Sequence, residues 1–112
     1  MRNDQLSNKE EIVYGTVAKM KLKPGSLQAI KEFAEEESGV GMDGFVGQYV
    51  YQMDRDPDEI FVVVLFKDKT SYFANAESPE QNARFQQMMT YLAAEPEWND
   101  GEVIYSEPGS GG

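Results

Sequence analysis

The chain is 112 residues long, about the size of a single domain, and carries a formal net charge of −10. This acidity repels nucleic-acid phosphates and anionic lipids, so neither nucleic acid nor a membrane surface is expected as a partner. The absence of cysteine and histidine excludes disulfides, thiolate catalysis and the commonest general base and metal ligand. Because no apolar run could span a bilayer and the first residues lack the apolar core of a signal peptide, a cytoplasmic protein is expected.

Composition divides the chain into three parts. Residues 1–9 are polar and are expected to be flexible, residues 10–106 to form one folded domain, and the glycine-rich tail over 107–112 to be disordered. The acidic run over residues 54–59 lacks the glycine and the distal glutamate of a calcium-binding loop. No metal site is therefore expected.

The domain begins with a predicted strand and helix. Residues from Ile12 to Leu22 are largely apolar at both odd and even positions, which is typical of a strand buried on both faces. Ser26 is the expected N-cap of a helix that ends at the glycines of residues 39–41. The apolar stripe of this helix consists of Leu27, Ile30, Phe33 and Ala34.

Two further strands are predicted in the middle of the chain, joined by a polar turn over residues 54–58 that contains Pro57. The first covers residues 44–53, and the second is the continuous apolar run of residues 60–66. Strict alternation in the first strand places Phe45, Tyr49, Tyr51 and Met53 on one face and Val46, Gln48, Val50 and Gln52 on the other.

Two helices and a last strand complete the pattern. The first helix is expected over residues 69–76, and the second begins after Ser78, with Pro79 at its first position and Gln81 completing a capping box. The second helix is expected to continue toward Pro96, and its core stripe consists of Phe85, Met88, Met89 and Leu92. The last strand is predicted over residues 102–106.

The order β-α-β-β-α-β predicts an α+β, ferredoxin-like fold with a four-stranded antiparallel sheet. Helices on one face of such a sheet leave the other face in water, yet the longer strands are apolar on both faces. A second copy of the same sheet is the simplest cover. We therefore expect a homodimer, a dimeric α/β barrel in which two sheets face each other and enclose aromatic-lined cavities.

Four segments carry a resemblance to a known family: residues 17–25, 66–68, 77–80 and 97–101. In their pattern and spacing, over residues 12–106, the chain resembles the antibiotic biosynthesis monooxygenases of the dimeric α/β-barrel group. The resemblance implies oxidation of quinols or polyketide-like aromatic compounds by molecular oxygen without a cofactor. An electron-rich phenolate or enolate can pass an electron directly to oxygen where the pocket stabilises the anion and excludes water.

Haem-degrading members of the same group have an asparagine, a tryptophan and a histidine at positions that correspond to Ala18, Asn75 and Phe85. None of the three matches, so haem degradation is not expected. Many members of the family also carry histidine where Asn75 stands.

The candidate catalytic residues are Asn75 and Tyr72, three residues apart on one helix face. Asn75 can hydrogen-bond a substrate oxygen or satisfy local backbone groups, and Tyr72 can pass a proton or serve as a core residue. The candidate substrate-binding residues are Tyr14, Thr16, Tyr49, Tyr51 and Trp98. Each tyrosine of this set can equally be an ordinary sheet-packing residue, and the tryptophan an anchor for the end of the chain.

Two other functions remain open at the level of sequence. A non-enzymatic dimeric domain that binds a small molecule or another protein is consistent with the absence of an obvious buried base. An isomerase or lyase that uses a tyrosine as its acid is a further alternative.

Overall fold

The computed structural model describes residues 12–37 and 42–107. The segment predicted to be flexible over 1–9 and the helix stop at residues 39–41 lie outside these residues, as does the tail predicted to be disordered over 107–112, apart from its first residue. The elements are β1 (Tyr14–Lys21), α1 (Leu27–Glu36), β2 (Phe45–Met53), β3 (Asp56–Phe66), α2 (Lys69–Ala76), α3 (Pro79–Met89) and β4 (Asp100–Glu102).

The four strands form one antiparallel sheet in the order β2-β3-β1-β4. This is the predicted ferredoxin-like arrangement, with the two most buried strands, β1 and β3, in the centre. The last strand is shorter and earlier than predicted, because it spans Asp100–Glu102 rather than residues 102–106. It pairs with Tyr14–Thr16 at the very start of β1. Because the two strands are antiparallel, the chain after Glu102 soon passes the first residue of β1 and β4 ends there.

Alternation in the central strands decides which side chains meet the helices. The even-numbered residues of β1 and β3 lie on the helix side and are mostly buried. Together with side chains from α1 and the segment after α3 they form the core, whose buried members are Ala18, Met20, Leu22, Ile30, Phe33, Ile60, Val62 and Leu92. Leu92 lies beyond the end of α3 and pairs with Leu22 in an isolated bridge, so the helix is shorter than predicted.

A β-bulge at Val46 changes the two faces of β2. Phe45 pairs with Phe66, but the next partner, Leu65, pairs with Gly47, so Val46 is an extra residue. Phe45 therefore lies on the helix side, where its ring meets that of Phe66 at 5.9 Å. The prediction that Phe45 shares a face with Tyr49 and Tyr51 is wrong, because strict alternation does not hold across a bulge.

The sheet face opposite the helices, here called the outer face, is apolar except at the end of β1, where Lys19 pairs with Glu59, and it is largely uncovered within one chain. Tyr49 and Tyr51 are 66% and 63% exposed, and Val17 is 43% exposed. The register places them beside half-buried side chains of β3, namely Phe61, Val63 and Leu65. Exposed aromatic and aliphatic residues that lie together in this way are typical of an interaction surface.

The helices begin with side-chain caps at two of the three sites. Asp68 accepts a hydrogen bond from the Ser71 backbone N–H at 2.8 Å, and Ser78 accepts one from the Gln81 N–H at 3.1 Å. Ser26 occupies the predicted N-cap position of α1, but its side chain makes no capping hydrogen bond. The predicted capping box at α3 is only half formed, because the Gln81 side chain bonds to neighbouring polar groups instead.

Gly15 lets the two central strands approach closely. A Cβ at this position would lie 1.9 Å from the Val64 carbonyl oxygen, a backbone atom that cannot move aside without shifting β3. The same residue faces Gly101 of β4, where a Cβ would have nothing within 4 Å.

We expect Gly15→Ala to lower the free energy of unfolding by about 1–3 kcal/mol, because the added methyl group overpacks the contact between β1 and β3. Urea denaturation of both proteins measures the difference. Gly101→Ala is the matched control, with a change of less than about 0.5 kcal/mol expected at this exposed position. Equal stability of the two variants would contradict the prediction.

Candidate functional site

Two adjoining cavities lie between the sheet and the helices. The larger, about 380 Å³, is here called the tyrosine compartment because Tyr72 lines it. The smaller, about 140 Å³, extends from it between α1, β2 and α3 and is called the arginine compartment after Arg84. The two share six lining residues: Val64, Phe66, Asn75, Gln81, Phe85 and Trp98. The larger volume falls within the range of small-molecule sites, roughly 300–1,000 Å³.

Tyr72 is the central polar residue of the tyrosine compartment. Asp68 caps α2 and so orients the first turn of the helix that carries it. The Tyr72 hydroxyl donates a hydrogen bond to Asp100 Oδ1 at 2.9 Å, which joins α2 to β4. Its ring packs edge-on against Tyr14 at 5.2 Å and Phe73 at 5.0 Å, so the phenol is held firmly in one position.

The surroundings of Tyr72 keep its phenol protonated. Burial, and then the hydrogen bond and negative charge of Asp100, raise the pKa of Tyr72 well above its ordinary value, although the nearby Thr16 hydroxyl acts in the opposite direction. The only proton of the hydroxyl is already directed at Asp100. Tyr72 is therefore a hydrogen-bond acceptor toward a ligand and can pass a proton on to Asp100, but it is not a base in its own right.

The segment before β4 forms the edge of the tyrosine compartment. The Lys19 N–H donates to the Glu97 carbonyl at 2.9 Å, and the Val17 N–H to the Asn99 carbonyl at 3.0 Å. The Asn99 N–H in turn donates to Thr16 Oγ1 at 3.2 Å. Trp98 is thereby held over the cavity against Phe85, with ring centroids 6.0 Å apart and 47% of the residue exposed.

A cluster of three polar side chains stands where the two compartments meet. Arg84 donates from Nε and Nη2 to Gln81 Oε1, at 3.2 and 3.0 Å. A longer contact of 3.5 Å joins Arg84 Nη2 to Asn75 Oδ1, and Asn75 Nδ2 lies 3.5 Å from Gln81 Oε1. Asn75 therefore presents a polar group at the wall between helices α2 and α3.

The structure brings together four of the seven predicted site residues: Thr16, Tyr72, Asn75 and Trp98 all line the tyrosine compartment. Tyr14 lies behind Tyr72, buried in the aromatic cluster. Tyr49 and Tyr51 lie on the outer face and so share no cavity with the other five. Their part in substrate binding stays a prediction.

Sequence reasoning missed Asp100, Gln81 and Arg84. Asp100 is 28 residues from Tyr72 along the chain, and only the pairing of β4 with β1 brings its carboxylate to that hydroxyl. Gln81 and Arg84 lie three positions apart on α3, a spacing that places them on one helix face. That spacing was the available signal, but it does not tell a cavity-facing pair from a solvated one.

Among residues 12–37 and 42–107, no group of three or more acidic side chains is close enough to hold a metal ion. No helix in this part of the chain has the length and apolar character needed to cross a membrane.

We expect Tyr72→Phe to lower the free energy of unfolding by about 1 kcal/mol near neutral pH, through loss of the hydrogen bond to Asp100. Since the pKa of Tyr72 is raised by folding, the advantage of the wild-type protein is fully present below about pH 10 and is lost as the pH rises further. Urea denaturation of both proteins between pH 6 and pH 11 measures this difference. An advantage that grows above pH 10 would contradict the prediction.

Comparison with known proteins identifies the family. The family model described as antibiotic biosynthesis monooxygenase matches residues 13–96. A comparison with curated proteins gives no match.

Solved structures share the fold. A protein of Nitrosomonas europaea, provisionally assigned as an antibiotic biosynthesis monooxygenase, is 17% identical, with a TM-score of 0.72, and the match covers 83% of this chain and 91% of that one. Similar provisional assignments apply to proteins of Chloroflexus aurantiacus (22% identity, TM-score 0.69, 86% and 97% covered) and Caulobacter crescentus (13%, 0.72, 94% and 100%). With most of the chain matched by the family model, this protein belongs to the antibiotic biosynthesis monooxygenase family.

Proposed function

We propose that the protein is a cofactor-independent monooxygenase that uses molecular oxygen on a small quinol or polyketide-like aromatic compound. The observation that carries the proposal is the Tyr72–Asp100 hydrogen bond at the wall of an aromatic-lined cavity. It offers a ligand hydroxyl one acceptor, backed by a carboxylate, in surroundings that are otherwise mostly apolar. Such a site favours formation of a phenolate or enolate next to aromatic walls.

The chemistry that fits this site is oxidation of a ring methylene conjugated with a ring carbonyl, which reacts through the hydroxyl of its enol tautomer. Loss of that hydroxyl proton gives an enolate, which passes one electron to oxygen, and the resulting radical and superoxide join to form a C–O bond at the former methylene carbon. The peroxide takes up a proton and then loses water, which leaves a carbonyl group. The sum is R₂CH₂ + O₂ → R₂C=O + H₂O, with one oxygen atom in each product.

The side chains have distinct parts in this proposal. The substrate hydroxyl donates to Tyr72 Oη while Tyr72 donates to Asp100, so a proton can move to Asp100 and later return to the peroxide. Asn75, held near Gln81 and Arg84, orients a second oxygen of the substrate. Trp98 and Phe85 flank the ring and keep water from the reacting carbon.

The test is oxygen uptake by the metal-free protein over a panel of hydroquinones and anthrones, corrected for the spontaneous rate. We expect uptake with at least one compound, lowered about 100-fold in Tyr72→Phe and at least 10-fold in Asn75→Ala, since proton transfer and orientation each contribute at this scale.

Tyr105→Phe is the matched control for the loss of a phenol hydroxyl. Tyr105 is 74% exposed, donates to Glu107 and lines neither compartment, so its variant should keep the full rate. No uptake across the panel would overturn the proposal, and saturable binding without turnover would favour a binding domain of the same fold. Turnover that needs an added metal or flavin would also overturn it.

We also propose that the protein acts as a homodimer whose two sheets pack together through their outer faces. Support comes from the exposed side chains of Val17, Tyr49 and Tyr51 on that face. The hydrophobic effect favours covering such a surface, and a symmetric dimer uses the same patch on both copies. The helices of the described residues lie on the other side of the sheet, so dimerisation leaves the compartments in place.

We expect light scattering coupled to size-exclusion chromatography to give twice the mass of one chain for the wild-type protein. Tyr49→Glu should give a monomer, because it would bury a carboxylate between the two sheets. Ala83→Glu introduces the same charge at an exposed position of α3 and should remain dimeric. A wild-type protein that is monomeric at micromolar concentration would contradict this prediction.

A further inference from the structure

Arg84 is a cation whose guanidinium has hydrogen-bond donors without a partner among the described residues. It is half-buried on α3, and its hydrogen bonds go only to the neutral amide oxygens of Gln81 and Asn75. Within the described part of the chain, no carboxylate lies within ion-pair distance of its guanidinium, and Nη1 makes no hydrogen bond. Most arginines away from bulk water are paired with an acid, so this arrangement leaves a site for an anion.

The walls around this guanidinium are apolar. The arginine compartment is lined largely by Met, Ile, Val and aromatic side chains, among them Ile30, Phe33 and Val62. Among the described residues that line either compartment, Arg84 is the only basic one, and Glu37, the one described acid of the arginine compartment, does not pair with it. A charge in such surroundings interacts more strongly with an opposite charge than it would in water.

The charge of the whole chain makes this local cation more informative. With 20 acidic and 10 basic residues, the protein repels anions at long range. An anionic ligand would therefore need a specific group to hold it. The planar guanidinium of Arg84 offers donors suited to a carboxylate, because Nη1 makes no hydrogen bond to a described residue and Nη2 makes only a long contact of 3.5 Å to Asn75 Oδ1 besides its bond to Gln81.

We propose that Arg84 binds the ionised acid group of the ligand, so that the substrate class is an aromatic acid rather than a neutral quinol. Because the compartments share Asn75, Phe85 and Trp98, a two-ring compound can place its hydroxylated ring beside Tyr72 and its carboxylate beside Arg84. In naming a quinol acid, the inference rests on the function proposed above; the anion site itself does not depend on turnover.

Isothermal titration calorimetry with 2-naphthoate and 2-naphthamide tests the anion site. The two probes have the same ring system, differ in charge, and are not quinols, so binding is measured without oxidation. We expect the wild-type protein to bind 2-naphthoate about 10-fold more tightly or better, the scale of a hydrogen-bonded charge pair.

Three variants test whether Arg84 is the source of the preference for 2-naphthoate. Arg84→Gln should abolish the preference for the acid and leave 2-naphthamide binding within about twofold, whereas Arg84→Lys should keep part of it because the charge remains. Glu37→Gln is the matched control, since it removes the other charged group of the compartment, and should preserve or increase the preference. Thermal unfolding of each variant verifies that it is folded.

Equal wild-type affinities for the two probes, no binding of either at millimolar concentration, or a preference that survives in Arg84→Gln would each overturn the inference. If Arg84→Gln does not fold, the wild-type affinities for 2-naphthoate and 2-naphthamide still test the inference on their own. Oxygen uptake without a preference for the acid would remove the anion site and leave the oxygenase. A preference for the acid without oxygen uptake on any quinol would remove the oxygenase and leave the anion site.

Discussion

In the described part of the chain, a single sheet is largely apolar on both faces but has helices on only one of them, and the rest of the structure depends on this constraint. The central strands β1 and β3 place their even-numbered residues against the helices, where they form the core. Their odd-numbered neighbours, joined by Tyr49 and Tyr51 of β2, form the outer face. Among residues 12–37 and 42–107 no further element covers that face, so one side of the sheet makes the compartments and the other stays exposed within one chain.

The compartments owe their chemistry to contacts between distant parts of the chain. Tyr72 stands on α2 and Asp100 on β4, yet the hydrogen bond between them forms because β4 pairs with the first residues of β1. Strand β1 also supplies Thr16, whose hydroxyl oxygen accepts a hydrogen bond from the Asn99 backbone N–H. Displacement of β4 would thus separate the phenol from its carboxylate and release Trp98 at the same time.

The order of elements and most helix starts were predictable, because hydrophobic periodicity and capping chemistry are local properties of the sequence. The spacing of Tyr72 and Asn75 also indicated one helix face, and both side chains line the tyrosine compartment. Asp100 and Arg84 were not predictable, since a charged residue near a turn or on a short helix is usually solvated. The position of Phe45 was predicted wrongly, because nothing in the sequence of β2 indicates a bulge.

That bulge has a consequence for how the sequence can change in length. Elsewhere in a sheet, losing one residue exchanges the two faces and would turn buried side chains to solvent. Val46 has no partner on β3 and is 52% exposed. Its deletion would leave Phe45 opposite Phe66 and Gly47 opposite Leu65. At this position β2 can therefore lose one residue while the same side chains still face the cavity and the same side chains still form the outer face.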